Sequence, residues 1–189
     1  MNFLAHLWLA GRSDIPFAGA ILGDIVRGSD LSSYPDDIVA GIRQHRRIDA
    51  LTDSHPRIVA LRAGFPQGAR RYAGILLDLA CDHALALDWA QYEEEPLPDF
   101  CRRSAAALAE AHTWFLQAGA PAPRADSFAE LLLSYAEPQG IDHAIRRTAQ
   151  RLRQPQALID AGSGWRESLP ALRELLPELL RDLQRTTES

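Results

Sequence analysis

The chain contains no lysine: all twenty basic residues are arginine. Arginine suits bidentate contacts with phosphate or carboxylate. Replacing lysine by arginine while enriching alanine and leucine is also what a GC-rich genome produces. Cysteine is scarce. Cys81 and Cys101 are too few for a secreted disulfide framework and suit a reducing compartment. No segment approaches the roughly 18 uninterrupted apolar residues of a membrane span. Residues 1–10 have no basic region and carry a histidine in their middle, so they do not read as a signal peptide, and a cytoplasmic location is expected. No period-2 run of β-branched and aromatic residues is found, which leaves no predicted strand. Internal repeats and low-complexity tracts are absent. With 47% apolar and 24% charged residues, intrinsic disorder and collagen-like structure are excluded.

What is present is helical. A chain of 189 residues predicts one domain able to bury its own core, and the expected fold is an all-α, single-domain helical bundle. Helices are predicted over 2–10, from a Ser13 or Asp14 cap to just before Gly28, and from an opening at Ser33–Asp37 to about Thr52. Further helices are predicted over 56–63, 67–92, 97–117, 125–135, 140–153 and 167–185, with a frayed end over 185–189. Charge is uneven. Residues 1–75 hold nine arginines against seven acids, and the remainder eleven against eighteen, so the overall −5 comes from the C-terminal part. An acidic chain argues against general nucleic-acid binding. Its slightly basic N-terminal part suits an anionic substrate or an acidic partner.

The informative feature is local. Apolar helical segments in residues 3–9, 20–26, 75–80 and 81–85 each carry ionisable residues: His6, Asp24, Asp78, and Asp82 with His83. A helix apolar on all sides is buried, and a carboxylate inside one needs a cation or several donors. Arginine and a bound metal ion are both available answers. Asp78 and Asp82 are i,i+4, as are His45 and Asp49, with Asp53 one turn further. Bundle proteins build core metal sites from such inward pairs. Carboxylates and imidazoles without a thiolate suit Mn, Fe, Mg or Zn, and do not suggest a structural zinc site. Arg46 and Arg47, beside His45, can fork onto phosphoryl oxygens. Plainer readings stand beside these. His6 alone reads as a satisfied core histidine, Asp24 as a cap or a partner of Arg27, and Asp49 and Asp53 as surface acids pairing with Arg46. Cys81 reads as a small core residue, and His55, His112 and His143 as surface positions. The coincidence of Asp24, His45, Asp78 and His83 before residue 85 favours a site.

These residues carry a resemblance. Met1–Leu7, the run Gly23-Asp24-Ile25-Val26-Arg27-Gly28, Val39–Ile42, the run from His45 to Asp53, and Asp78 with Asp82-His83 resemble the bacterial acyl carrier protein phosphodiesterases, dense over residues 1–90. The resemblance implies an all-helical hydrolase distantly related to the HD phosphohydrolases. It departs from their His…His-Asp…Asp pattern, because His45 is followed by Arg46 and the adjacent pair runs Asp82-His83. It further implies Mn²⁺, with Mg²⁺, Fe²⁺ or Zn²⁺ as alternatives. The implied reaction is hydrolysis of the phosphodiester joining 4′-phosphopantetheine to a serine of holo-acyl carrier protein.

On that reading Asp24, His45, Asp78 and His6 are the expected metal ligands. Asp82 and His83 are expected to hold a second ion, orient water or protonate the leaving oxygen, and Arg46 and Arg47 to neutralise charge on the phosphate. The acidic carrier is expected to dock on arginines among Arg27, Arg43, Arg57, Arg62, Arg70 and Arg71. No nucleic acid and no membrane partner is expected. Two other functions fit the residues: a phosphohydrolase of nucleotides or other small phosphoesters, and a non-enzymatic helical binding module whose acids and imidazoles pair with arginine.

Overall fold

Residues 73–87 are apolar on nearly every side, so that segment has to be enclosed by other helices. The computed structural model, which describes residues 1–187, shows how. In chain order the helices are α1 (Phe3–Arg12), α2 (Phe17–Ile25), α3 (Asp36–Ser54), α4 (Pro56–Gly64), α5 (Ala73–Leu87), α6 (Leu97–Glu110), α7 (His112–Gln117), α8 (Ala125–Ser134), α9 (Pro138–Ala149), α10 (Pro155–Ala161) and α11 (Gly164–Thr187). No strand occurs among the described residues. α5 lies centrally against α1, α4, α9 and α11, and the buried apolar side chains form one cluster running from Met1 to Leu183. The fold is all-α, as the sequence predicts.

α1 is short but fully enclosed. Every residue from Leu4 to Ala10 is buried, between α2, α3, α5 and α11. α2 and α3 approach backbone to backbone. A methyl group built on Gly19 would stand 2.8 Å from the Gly41 Cα, closer than real contacts allow, so glycine at both positions sets this crossing. α11 buries Leu172, Leu175, Leu176, Leu179, Leu180 and Leu183 at helical spacing. Its two internal prolines, Pro170 and Pro177, fall on the exposed face, where water can satisfy the carbonyls they leave unpaired.

Several predicted boundaries move. The predicted helix over 67–92 is regular only from Ala73 to Leu87, with 3₁₀ turns at Arg70–Tyr72 and Trp89–Gln91. Residues 67–71 have no apolar face to bury. At the other end, Arg173 of α11 grips Asp88 through a two-point fork at 2.7 and 2.5 Å. The predicted helix over 97–117 turns at Ala111, which buries Phe115 and brings Trp114 against Tyr34. Ser13 and Asp14 do not cap α2. Ser13 bonds back to the Leu9 carbonyl, and Asp14 takes a left-handed turn with φ 52°. α10 was not predicted, although Pro155 at its first position is a start signal. Of the expected frayed end, residues 185–187 are helical and residues 188–189 lie outside the described residues.

Candidate metal centre

Three helices bring four polar side chains to one place. α1 supplies His6, the end of α2 supplies Asp24, and α3 supplies His45 and Asp49. Asp49 is the hub. Its Oδ1 lies 3.0 Å from His6 Nε2, and its Oδ2 lies 3.1 Å from His45 Nε2. Asp24 Oδ1 reaches the same His45 nitrogen at 3.2 Å. The two imidazole rings stack at 3.8 Å, 14° from parallel. Both histidines are buried, whereas Asp49 is 39% and Asp24 50% exposed. The cluster therefore has a closed imidazole floor and an open carboxylate mouth. His6, His45 and Asp49 each offer a ligand atom, and these atoms lie within 4.8 Å of one another.

The tautomer of His45 follows from its other contact. Nδ1 stands 2.6 Å from the Ala20 carbonyl, which only accepts, so Nδ1–H donates and Nε2 is left facing the acids. This outer-shell bond is what orients a metal-ligating histidine. The ring has room because residue 23 is glycine: a Cβ there would fall 2.3 Å from His45 Cγ and 2.4 Å from its Cβ. Gly23→Ala must therefore push the imidazole out of place or part α2 from α3. We expect it to cost about 2–3 kcal/mol of stability and about a hundredfold in Mn²⁺ affinity, read by thermal melting and metal titration. An unchanged affinity would mean that the ring relaxes without leaving the site.

The electrostatics are sharply divided. Burial lowers the His6 imidazole to about 4, outweighing the pull of Asp49. Burial also opposes charge on His45, but Asp24 and Asp49 together raise it to about 9. Both acids are held below the usual carboxylate range, against their partial burial, by these imidazoles. The Met1 amine bridges Asp78 Oδ1 at 3.0 Å and Asp49 Oδ1 at 3.3 Å, and despite burial these acids raise it to about 11. For the metal-free protein the sign is set by His45. A folded pKa above the unfolded 6.5 stabilises fully below 6.5, and that stability is lost as pH rises through 9. The melting temperature is expected to fall over that window in wild type, and the His45-dependent part of the fall to be missing in His45→Gln. Parallel curves for the two proteins would refute it.

The expected site residues divide. His6, Asp24 and His45 come together as ligand candidates. Asp49, which read as a surface acid, joins them at the centre. The i,i+4 spacing from His45 was its one signal. Asp78 is a neighbour only, linked through the Met1 amine. Asp82 faces elsewhere: its carboxylate accepts from the backbone N–H groups of Leu4 (2.7 Å), Ala5 (3.2 Å) and Asn2 (3.3 Å), capping α1 from outside. Burial raises it to about 7, against these amides. His83 is one residue further round α5. Its Nδ1 donates to the Tyr135 carbonyl at 2.6 Å, and its ring meets the edge of Trp165, away from the cluster. Arg46 spends its fork on the carbonyls of Val26 (2.6 Å) and Gly28 (2.8 Å), and Arg47 bonds the Thr186 carbonyl at 3.0 Å. The structure thus gives Asp82, His83, Arg46 and Arg47 packing and capping contacts where phosphate or metal contacts were expected. His55 is half-buried and caps α4, so it is not a plain surface residue.

The donor set is oxygen and imidazole nitrogen converging from separate helices, the chemistry of a hard or borderline divalent ion, and the residues present fit such an ion. Fold and cluster together define an all-helical protein with a His–Asp cluster of candidate metal ligands at the mouth of its core. The family model for acyl carrier protein phosphodiesterase matches residues 1–183, and the chain belongs to that family. A protein of Enterobacter sp. (strain 638) is 48% identical over 103 residues, 54% of this chain and 53% of its own. One of Photorhabdus laumondii is 49% identical over 89 residues, 47% and 45% of the two chains. An Escherichia coli protein is 46% identical over 101 residues, 53% and 52%. All three are named acyl carrier protein phosphodiesterase. The chain spans about half the length of these curated relatives in each match. No solved structure gives a significant match.

Proposed function

We propose that this protein is a metal-dependent phosphodiesterase that hydrolyses the 4′-phosphopantetheine arm from holo-acyl carrier protein, leaving the apo carrier. The observation that carries the reading is the His6–Asp49–His45 cluster with Asp24 at its rim, in a chain of this family. His6, His45, Asp49 and Asp24 would hold the ion, for which Mn²⁺ is the first choice. When bound, such an ion polarises a phosphoryl oxygen and makes hydroxide available near neutral pH. The rest falls to the chain. The buried imidazoles exclude water from one side of the centre. The Ala20 carbonyl keeps the His45 proton on Nδ1. Asp78, one-third exposed beside Asp49, is the remaining acid at the mouth able to orient a water.

The test is incubation with Mn²⁺ and holo-acyl carrier protein, with mass spectrometry for loss of the arm. Turnover of small phosphoesters without the carrier as partner would point instead to a small-molecule phosphohydrolase. No metal binding and no effect of chelator would point to a binding module.

The carrier is an acidic protein, so its docking surface here should be basic. Of the available arginines, Arg57 is paired with Glu174 and Glu178, and Arg71 bonds Gln154 and stacks on Tyr72. Arg27 and Arg43 are exposed, three residues beyond Asp24 and two before His45 respectively. We expect KM for holo-carrier to rise several-fold between about 0.05 and 0.3 M salt, with kcat little changed. A KM indifferent to salt would remove the basic docking surface.

A further inference from the structure

Arg62 of α4 occupies the groove between α3 and α5. Its Nη2 donates to the Asp53 carboxylate. The guanidinium lies over Gly74, where an added Cβ would come within 3.0 Å of Nη2 and 3.5 Å of Cζ. Asp53 stands one turn beyond Asp49 on α3, and Gly74 one turn before Asp78 on α5. Asp49 and Asp78 are the two acids bridged at the mouth of the cluster. Arg62 makes the next rung of the same groove, roughly 6 Å along it.

Its hydrogen bonding is incomplete. A guanidinium has five N–H donors. Asp53 takes one corner, while Nε is buried with no partner in the structure. An unmet buried donor works against folding, so stability alone does not explain why this side chain is held here. The side chain as a whole is 29% exposed. Beside His45, Arg46 has its fork on two backbone carbonyls and Arg47 bonds a third. Arg62 is the arginine that the groove brings to within one turn of the cluster while leaving donors unspent.

We propose that Arg62 binds the non-bridging oxygens of the phosphodiester, with Asp53 as its positioning residue and Gly74 as its seat. The inference rests on the phosphodiesterase reading for the class of ligand, a phosphate ester, and for nothing else. A planar fork matched to phosphate is a role lysine does not replace.

The test is titration of inorganic phosphate into the Mn²⁺-loaded protein by calorimetry, alongside the arm-release assay. Arg62→Ala is expected to weaken phosphate binding about tenfold or more while Mn²⁺ affinity stays within twofold of wild type. Arg62→Lys recovers only part of the loss, and guanidinium ion added to Arg62→Ala restores some turnover. Because Arg62→Ala leaves Asp53 unpaired, the double variant Arg62→Ala/Asp53→Ala is measured with it and should show the same phosphate defect on a stably folded chain. Gly74→Ala, which displaces the guanidinium without removing it, should also weaken phosphate. The proposal is overturned if wild type binds no phosphate, if Arg62→Ala binds it as well as wild type, or if Mn²⁺ affinity falls in step with phosphate affinity. Phosphate binding through Arg62 without arm release would sink the proposed activity and leave this inference standing. Arm release with unchanged KM in Arg62→Ala would do the reverse.

Discussion

Asp49→Asn is expected to reduce release of the phosphopantetheine arm by at least about a thousandfold and to weaken Mn²⁺ by about a hundredfold or more. Asp49 is the carboxylate that meets both imidazoles of the centre. One oxygen meets His6 and the Met1 amine, and the other meets His45. An amide keeps the shape but turns an NH₂ toward one imidazole or the other, and its oxygen carries no charge. A second readout separates loss of the ion from loss of the fold. His45 is charged near neutral pH in the metal-free protein, so taking up an ion expels a proton from it. Calorimetry in two buffers of different ionisation enthalpy counts that proton, and Mn²⁺ affinity should climb with pH toward 9. In Asp49→Asn the imidazolium loses one of its two acids, so proton release at pH 7 should shrink together with affinity. Turnover within tenfold of wild type would take Asp49 out of the centre.

Asp82→Ala is expected to cost about 3–4 kcal/mol of stability, because the opening turn of α1 loses the acceptor for its amides inside the core. For a chain of this size that lowers the melting temperature by roughly 10 °C. Asp82→Asn should fall between, since its single carbonyl oxygen cannot serve all three donors. The prediction distinguishes two roles for the residue. A capping carboxylate leaves kcat nearly intact when the variants are assayed well below their new melting points. A proton-transferring one loses kcat at every temperature. Loss of kcat at full stability would return Asp82 to the chemistry, against its present geometry. The same change loosens α1, so His6 should shift and Mn²⁺ affinity drop modestly, far less than in Asp49→Asn.

The patterns that proved legible are those in which one helix reports on its own environment. A largely apolar α5, the enclosed α1 and the leucine stripe of α11 each state in sequence that they are buried. His6 interrupts such a segment, and it is buried in the fold. The helix ends were less legible. Asp88 is pulled from α5 by Arg173, and Ala111 breaks a run that nothing local interrupts. Both depend on where another helix lies.

Sequence alone was enough to determine that the chain is helical and that acids and imidazoles sit among apolar residues in its first half. Tertiary structure alone decided which of them meet. Helical spacing says that two residues share a face, but not what the facing helix presents. Asp49 found two imidazoles, Asp82 found backbone amides, and Arg46 found carbonyls, outcomes that depend on the facing helix. The close approach at Gly19, Gly23 and Gly41 brings α2 and α3 near enough for Asp24 and His45 to touch. Missing side chains act there only through the partner backbone, which no single helix encodes.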